Sequence, residues 1–178
     1  DNAAHRLAMM MAALVTWKID DGSDHFEPSV LSITQALVDN AATNVIPAKA
    51  SARFNIRFND LHSGASLTKD LQNLLTDAAG EGAKFKLDVI ISGESFLTPP
   101  GLLSDLLSEA CESVTGHKPD LSTTGGTSDS RFIKDYCPVV DFGLVGQTMH
   151  QVDERAPLED IHRLKAIYAR ILRDYFSG

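Results

Sequence analysis

Residues 148 to 154 read Thr-Met-His-Gln-Val-Asp-Glu and come just after the apolar run Cys-Pro-Val-Val-Asp-Phe-Gly-Leu-Val-Gly of residues 137 to 146. A neutral imidazole placed past a strand can point into the cleft at the carboxyl edge of a sheet, where α/β enzymes bind ligands. Two carboxylates, Asp153 and Glu154, stand three and four residues on. The spacing His-x-x-Asp-Glu differs from the helical His-Glu-x-x-His of a zinc protease. A metal ion takes three or four protein ligands. His150 is therefore either a single donor to a metal whose other ligands lie elsewhere, or a hydrogen-bonded loop histidine. For Asp153 and Glu154 the alternative role is that of helix-start charges, favourable to the dipole of the helix that follows Pro157.

Three further stretches could carry chemistry or be ordinary structure. In Ser-Thr-Thr-Gly-Gly-Thr-Ser-Asp-Ser-Arg-Phe-Ile-Lys-Asp, residues 122 to 135, the two glycines permit tight backbone geometry. Thr127 or Ser128 can cap the helix that follows, with Asp129 in its first turn. Backbone N–H groups at such a start can bind a carboxylate or phosphate; the alternative is a capped helix and nothing more. The Gly-Lys-Ser/Thr ending of a nucleotide loop is missing, which excludes a P-loop. In Arg-Phe-Asn-Ile-Arg-Phe-Asn-Asp, residues 53 to 60, Arg53 and Arg57 share the polar face of a strand. Their forked guanidinium groups suit a substrate carboxylate, although exposed arginines are also common on half-buried strands. His5, His25, His62, His117 and His162 show no spacing that completes a metal site and read as surface or helix-face residues. No Gly-x-Ser-x-Gly nucleophile elbow is present.

The elements that must position these residues follow from periodicity. Leu7, Met10, Met11, Leu14 and Val15 recur at helical steps after a cap at Asp1 or Asn2, and the helix is expected to end near Asp20–Ser23. Leu-Ser-Ile-Thr-Gln-Ala-Leu-Val and Ala-Ser-Ala-Arg-Phe-Asn-Ile-Arg-Phe-Asn alternate as strands, with Ala52, Phe54, Ile56 and Phe58 on one face. Ser63 or Ser66 caps a second helix with the stripe Leu67, Leu71, Leu74 and Leu75, stopped by Gly80 and Gly82. Phe85, Leu87 and Val89 alternate as a third strand. Residues 1 to 92 thus spell α-β-β-α-β, two layers with helices over one face of a small antiparallel sheet.

Pro99-Pro100 marks the strongest domain boundary. Beyond it the pattern predicts a helix over 102–114, a short strand near Asp120–Thr123, a short helix over 128–135, a strand over 138–145 and a long helix from Pro157 to Phe176. That alternation indicates a parallel or mixed α/β sheet.

Composition narrows the function classes. A chain of 178 residues with 43% hydrophobic content is long and apolar enough for one full domain or two small ones with a buried core. The net charge of −8 argues against a nucleic-acid or anionic-membrane partner. The longest apolar run, Leu-Ala-Met-Met-Met-Ala-Ala-Leu-Val-Thr-Trp, is half a membrane span. Cys111 and Cys137 fit neither a zinc knot nor a disulfide framework and read as reduced, mostly buried thiols, which suggests a cytoplasmic setting.

Taken together, the stretches Asn44–Asp60, Ser92–Gly101, Thr123–Ile133 and Phe142–Glu154 closely resemble the bacterial succinyl-diaminopimelate desuccinylases, co-catalytic metallo-aminopeptidase-like amidohydrolases. The resemblance runs along the whole chain. It implies a hydrolase that uses two zinc ions, or cobalt, to cleave N-succinyl-L,L-diaminopimelate into succinate and diaminopimelate in lysine and cell-wall biosynthesis. It further implies that residues 1–94 are a ferredoxin-like lid lacking its first strand, through which the enzyme forms a homodimer. Residues 95–178 would be the carboxyl-terminal part of a three-layer αβα catalytic domain. By the same resemblance His150 is the metal ligand contributed by this part, and Arg57 contacts a substrate carboxylate. Gly126 and Thr127 hydrogen-bond the substrate, and Asn44 reaches a substrate in the partner's site. Thr43 and Gly146 stand where some members carry asparagine. The catalytic base and most metal ligands are expected in an amino-terminal half, so the 178 residues alone are expected to bind no metal and hydrolyse nothing. Alternatives are an acetylornithine deacetylase or aminoacylase, or a non-enzymatic dimerisation module.

Overall fold

Asn2 accepts hydrogen bonds from the Ala4 and His5 amides at 3.0 and 3.4 Å and so starts helix α1 (Ala3–Thr16). The helix ends at Thr16, short of the expected Asp20–Ser23, because Trp17 turns extended. The computed structural model describes residues 1–40, 42–124 and 128–177. Strand β1 (Val30–Val38) pairs antiparallel with β2 (Ala50–Arg57). Helix α2 (Gly64–Ala79) completes the elements of the first of two units, Asp1–Phe96.

The apolar alternation in β2 sends Phe54 and Ile56 to the same face as Leu31 and Ile33 of β1. That face meets Leu14 of α1 and Leu71 and Leu75 of α2, all nearly inaccessible to solvent. Each such leucine contributes about 1.5–3 kcal/mol by leaving water. The register shifts between Ile33 and Gln35, a bulge at Thr34 whose hydroxyl donates to the Arg53 carbonyl at 3.2 Å.

Both ends of α2 are tied down. Ser63 and Ser66 cap its start reciprocally, at 3.0 and 3.1 Å. The Gly64 amide also donates to both oxygens of Glu94, at 3.1 and 3.0 Å. At the far end the Arg6 guanidinium donates to the carbonyls of Ala79 and Glu81, satisfying acceptors that the helix cannot.

The expected third strand is a correction. Phe85 and Leu87 do alternate onto the core formed by the two helices and the hairpin, yet residues 84–92 form no ladder with β1 or β2, and the sheet has two strands among the described residues. Alternation reports which side chains are buried. It does not report whether the backbone pairs.

The second unit, Leu97–Gly178, holds α3 (Leu102–Thr115), α4 (Ser130–Ile133) and α5 (Leu158–Tyr175). Leu107, Ala110 and Cys111 of α3 pack on Ile167 of α5, with Val140 and Phe142 laid against them. The strands expected near 120–123 and over 138–145 are absent as ladders among the described residues, for the same reason as in the first unit. Cys111 is buried, but Cys137 is exposed, against expectation: it follows α4 instead of opening a buried strand. The chain is mixed α/β, and among the described residues no helix is long and apolar enough to cross a membrane.

Gly64 is a packing requirement. A Cβ there would lie 2.6 to 2.8 Å from three side-chain atoms of Ile91. Two of those atoms sit on the Ile91 β-carbon, so rotation cannot clear them all. Gly64→Ala is expected to lower unfolding free energy by about 1–3 kcal/mol in urea titration. Most of that loss should vanish in the Ile91→Ala background; an additive double mutant would show that the clash is not the cause.

Candidate functional site

Arg57 ends β2 opposite Val30, on the solvent face of the hairpin. No hydrogen bond or ion pair engages the Arg57 or Arg53 guanidinium among the described residues. Its backbone is held from two residues further on. Asn59, only 2% exposed, donates from Nδ2 to Asp20 Oδ1 at 2.7 Å and to the Glu27 carbonyl at 3.2 Å. Its amide donates to Ser29 Oγ at 3.1 Å, and its Oδ1 accepts from the Leu61 amide at 3.1 Å.

Asp20 is the hub of that arrangement. Its side chain is 8% exposed and also accepts from the Gly22 and Ser29 amides at 2.7 and 3.1 Å. His62 Nε2 lies 3.1 Å from Asp20 Oδ2, and its side chain is 19% exposed. Burial by itself would raise the Asp20 pKa. The hydrogen bonds from the Ser29 hydroxyl, the Gly22 and Ser29 amides and Asn59 outweigh it and hold the carboxyl well below the usual range. His62 is thus a half-buried partner of a carboxylate, where the sequence read it as a surface residue.

Asn44 sits exposed in the turn between the strands. With Asn2, Asn40 and Thr43 it lines an open depression of about 590 Å³. Asn40 shapes the turn by donating from Nδ2 to the Val45 carbonyl at 2.6 Å. Asn44 precedes β2 and Arg57 ends it, so the hairpin holds them apart by the strand's length, about 23 Å for seven steps of 3.3 Å.

In the second unit His150 stands on an exposed turn with φ 63°, and Asp153 with φ 64°. His and Asp are among the side chains that tolerate this left-handed region. Thr148 clasps the loop: its hydroxyl donates to the Arg155 carbonyl at 2.9 Å and accepts from the Arg155 amide at 3.0 Å. The His150 imidazole makes no hydrogen bond or ion pair among the described residues. Glu154 is exposed and precedes α5, as a helix-start charge would. Gly126 and Thr127 lie outside the described residues. Beyond them Ser128 Oγ accepts from the Ser130 amide at 3.2 Å, while α4 is a single turn with Asp129 at its cap position and no side-chain cap bond.

Among the described residues no group of three or more His, Cys, Asp or Glu comes together that could hold a metal ion. One imidazole does not make a catalytic metal centre, which takes three protein ligands and an open position.

Residues 8–174 match the model of the peptidase family M20/M25/M40. The chain belongs to this family. It is 57% identical over 177 residues to a succinyl-diaminopimelate desuccinylase of Ruegeria pomeroyi, covering 99% of this chain and 47% of that protein. A relative of the same name in Rhodospirillum rubrum is 52% identical over 179 residues, covering 100% of this chain and 46% of its own length. The chain spans about half the length of the curated relatives it matches.

Sequence reading missed two arrangements in this M20 chain: the Asp20 hub and a link from Asp141 to Ser128 and Ser130. Asn59 and His62 lie 39 and 42 residues from Asp20, and the two serines 13 and 11 from Asp141, so no local spacing marks these links. Only the Asn-Asp and Asp-Gly turn signals at 59–60 and 21–22 hinted that polar groups gather there.

Because folding depresses the Asp20 pKa, its contribution is complete above the unfolded carboxylate value, about 3.9. It is lost as pH falls from there toward the folded value. Asp20→Asn is expected to cost about 1.5–3 kcal/mol at pH 7 and to flatten the loss of stability below pH of about 4. Denaturant melts between pH 2 and 7 check it, and an unchanged acid limb would rule out this account of the hub.

Proposed function

We propose that this chain is part of a succinyl-diaminopimelate desuccinylase, a metal-dependent hydrolase that splits the amide of N-succinyl-L,L-diaminopimelate into succinate and diaminopimelate. The observation that carries the reading is 57% identity to a protein of that name, spread over 99% of the chain. In this reading residues 1–94 are the ferredoxin-like lid and residues 95–178 belong to a three-layer αβα catalytic domain in the cytoplasm. The division between compact units at Phe96 and Leu97 supports it.

Each side chain then has a task. His150 is one donor to a centre of two zinc ions, or cobalt, completed by residues outside those described. Its solvent-facing turn and an imidazole without partners among the described residues support that role. When bound, such a metal would lower the pKa of a coordinated water and so make hydroxide available for amide hydrolysis at neutral pH. Arg57 meets a substrate carboxylate with a guanidinium that no described residue engages. Gly126 and Thr127 hold the substrate by hydrogen bonds. Asn44 reaches a substrate bound to the other subunit of a lid-mediated homodimer. The hairpin's length supports that last assignment: Arg57 and Asn44 cannot reach one small ligand from the same chain, but two copies can supply one each.

Assay of the full-length enzyme is the direct test. Turnover of the succinylated substrate should exceed that of N-acetylornithine, and His150→Ala should lower kcat/KM at least about 100-fold, since even outer-shell changes at metal sites reach that size. Equal or better turnover of the acetyl substrate would favour the deacetylase reading. The dimer is tested separately by mixing two inactive variants, Arg57→Ala and Asn44→Ala. If Arg57 acts in its own subunit and Asn44 in the partner's, each mixed dimer regains one intact site, and about a quarter of wild-type activity returns. Absence of recovery despite confirmed subunit exchange would refute the crossed arrangement.

A further inference from the structure

We propose that Thr148 is a positioning residue for the His150 imidazole, a clasp at the neck of the loop that carries it; this rests on the desuccinylase reading given above, in which His150 is a metal donor. The Thr148 hydroxyl works in both directions across the neck. It donates to the Arg155 carbonyl at 2.9 Å and accepts from the Arg155 amide at 3.0 Å. The Thr148 carbonyl accepts from the Gln151 amide at 3.1 Å, which closes a four-residue turn with His150 as its third member. A type II turn takes positive φ at its third residue, and His150 has φ 63°. One residue therefore holds both the turn around His150 and the return of the chain behind it. From Gly143 through Glu159 every residue is exposed except Thr148, so it is the side chain around which this loop folds.

The two ends of the loop hang from one helix. Phe142 packs against the cluster of α3 and α5, and its carbonyl accepts from the Tyr168 hydroxyl of α5. Pro157 precedes α5, and its carbonyl accepts from the Asp160 amide at 3.1 Å. Between these anchors the loop buries no apolar side chain, so packing does not fix where His150 stands. Hydrogen bonds must do so. The Met149 amide donates to the Gly146 carbonyl at 3.2 Å and Gln151 Nε2 to the Gln147 carbonyl at 3.4 Å, but both ties are local. Among the described residues the Thr148 hydroxyl alone joins the outgoing arm of the loop to the returning one. Both of its bonds are exposed to solvent, where such bonds add little to global stability. Direction is the contribution that remains. Neither ring nitrogen of His150 is engaged by a described residue, so a metal can take one, and its distance to that nitrogen is set within about 0.2 Å. The clasp also needs a hydroxyl, because a single atom must donate to a carbonyl and accept from an amide. Valine has the shape of threonine and neither capacity.

The test uses the full-length enzyme, stripped of metal and titrated with zinc against a chromophoric chelator. His150→Ala should abolish tight binding of one zinc equivalent, and Thr148→Val should weaken that same equivalent about tenfold, as changes in outer-shell partners do. The melting temperature of the metal-free Thr148→Val protein should move by less than about 3 °C. Thr148→Ser keeps the hydroxyl and should bind zinc as the wild type does. Adding Thr148→Val to His150→Ala should weaken binding no further, because both act through one ligand. Amide exchange at Gln151 and Arg155 should rise in metal-free Thr148→Val, with α3 and α5 unaffected. Wild-type zinc affinity in Thr148→Val, a serine variant as weak as the valine one, or further weakening in the double variant would overturn the proposal. A larger melting shift would overturn it too, by making Thr148 a folding residue. Wild-type zinc binding in His150→Ala would refute the metal role of His150 and this proposal together. Loss of zinc in His150→Ala with any of the contrary Thr148 results would refute the Thr148 role alone.

Discussion

A carboxylate removed from water must be given donors in place of its hydration shell, and in the first unit this requirement falls on Asp20. The energetic cost of leaving such a charge bare is several kcal/mol. Amides from the α1–β1 connection, an Asn59 side chain from the β2–α2 connection and the His62 ring converge on it. Segments some 40 residues apart are thereby fixed to one another at a single point. The leucine stripes of α1 and α2 supply the bulk of the apolar burial, but leucines slide; a set of directional hydrogen bonds does not. The end of β2, with Arg57, inherits its placement from that set.

The second unit solves a similar problem with less burial. Its helix pair is small, and the segment carrying Val140 and Phe142 borrows order from it through side-chain packing and a single tyrosine hydroxyl. Around this the 146–155 loop is closed by Thr148 on itself. Of the two residues that flank these segments, His150 is exposed on the loop that Thr148 closes, while Ser128 is half-buried and tied to Asp141 thirteen residues away.

Much of this was readable in the residues. Five-residue reasoning placed α2 well, because Ser63, Ser66 and the Leu67, Leu71, Leu75 stripe each report local physics: capping and a 3.6-residue period. The hairpin followed from strict alternation in β2. The third strand did not follow, because Phe85 and Leu87 obey the burial rule while the backbone beside them forms no ladder. Cys137 was misjudged for the same reason: a buried strand was inferred where the chain leaves a short helix in solvent. The Asp20 hub and the Asp141 link were invisible since hydrogen bonds between distant residues leave no periodic trace. Of the candidate site, residue types and their order were legible; separation of Arg57 from Asn44 along the hairpin needed coordinates.

The left-handed backbone at His150 has an implication for how this position can drift. Side chains with a branched β-carbon are strongly penalised at such angles, and most others pay a smaller cost, whereas glycine, asparagine, aspartate and histidine are accommodated. The turn thus screens its occupants before any chemistry is considered, and three of the four residues it admits carry a side-chain atom with a lone pair to offer. Geometry has shortened the alphabet to letters that happen to spell ligands.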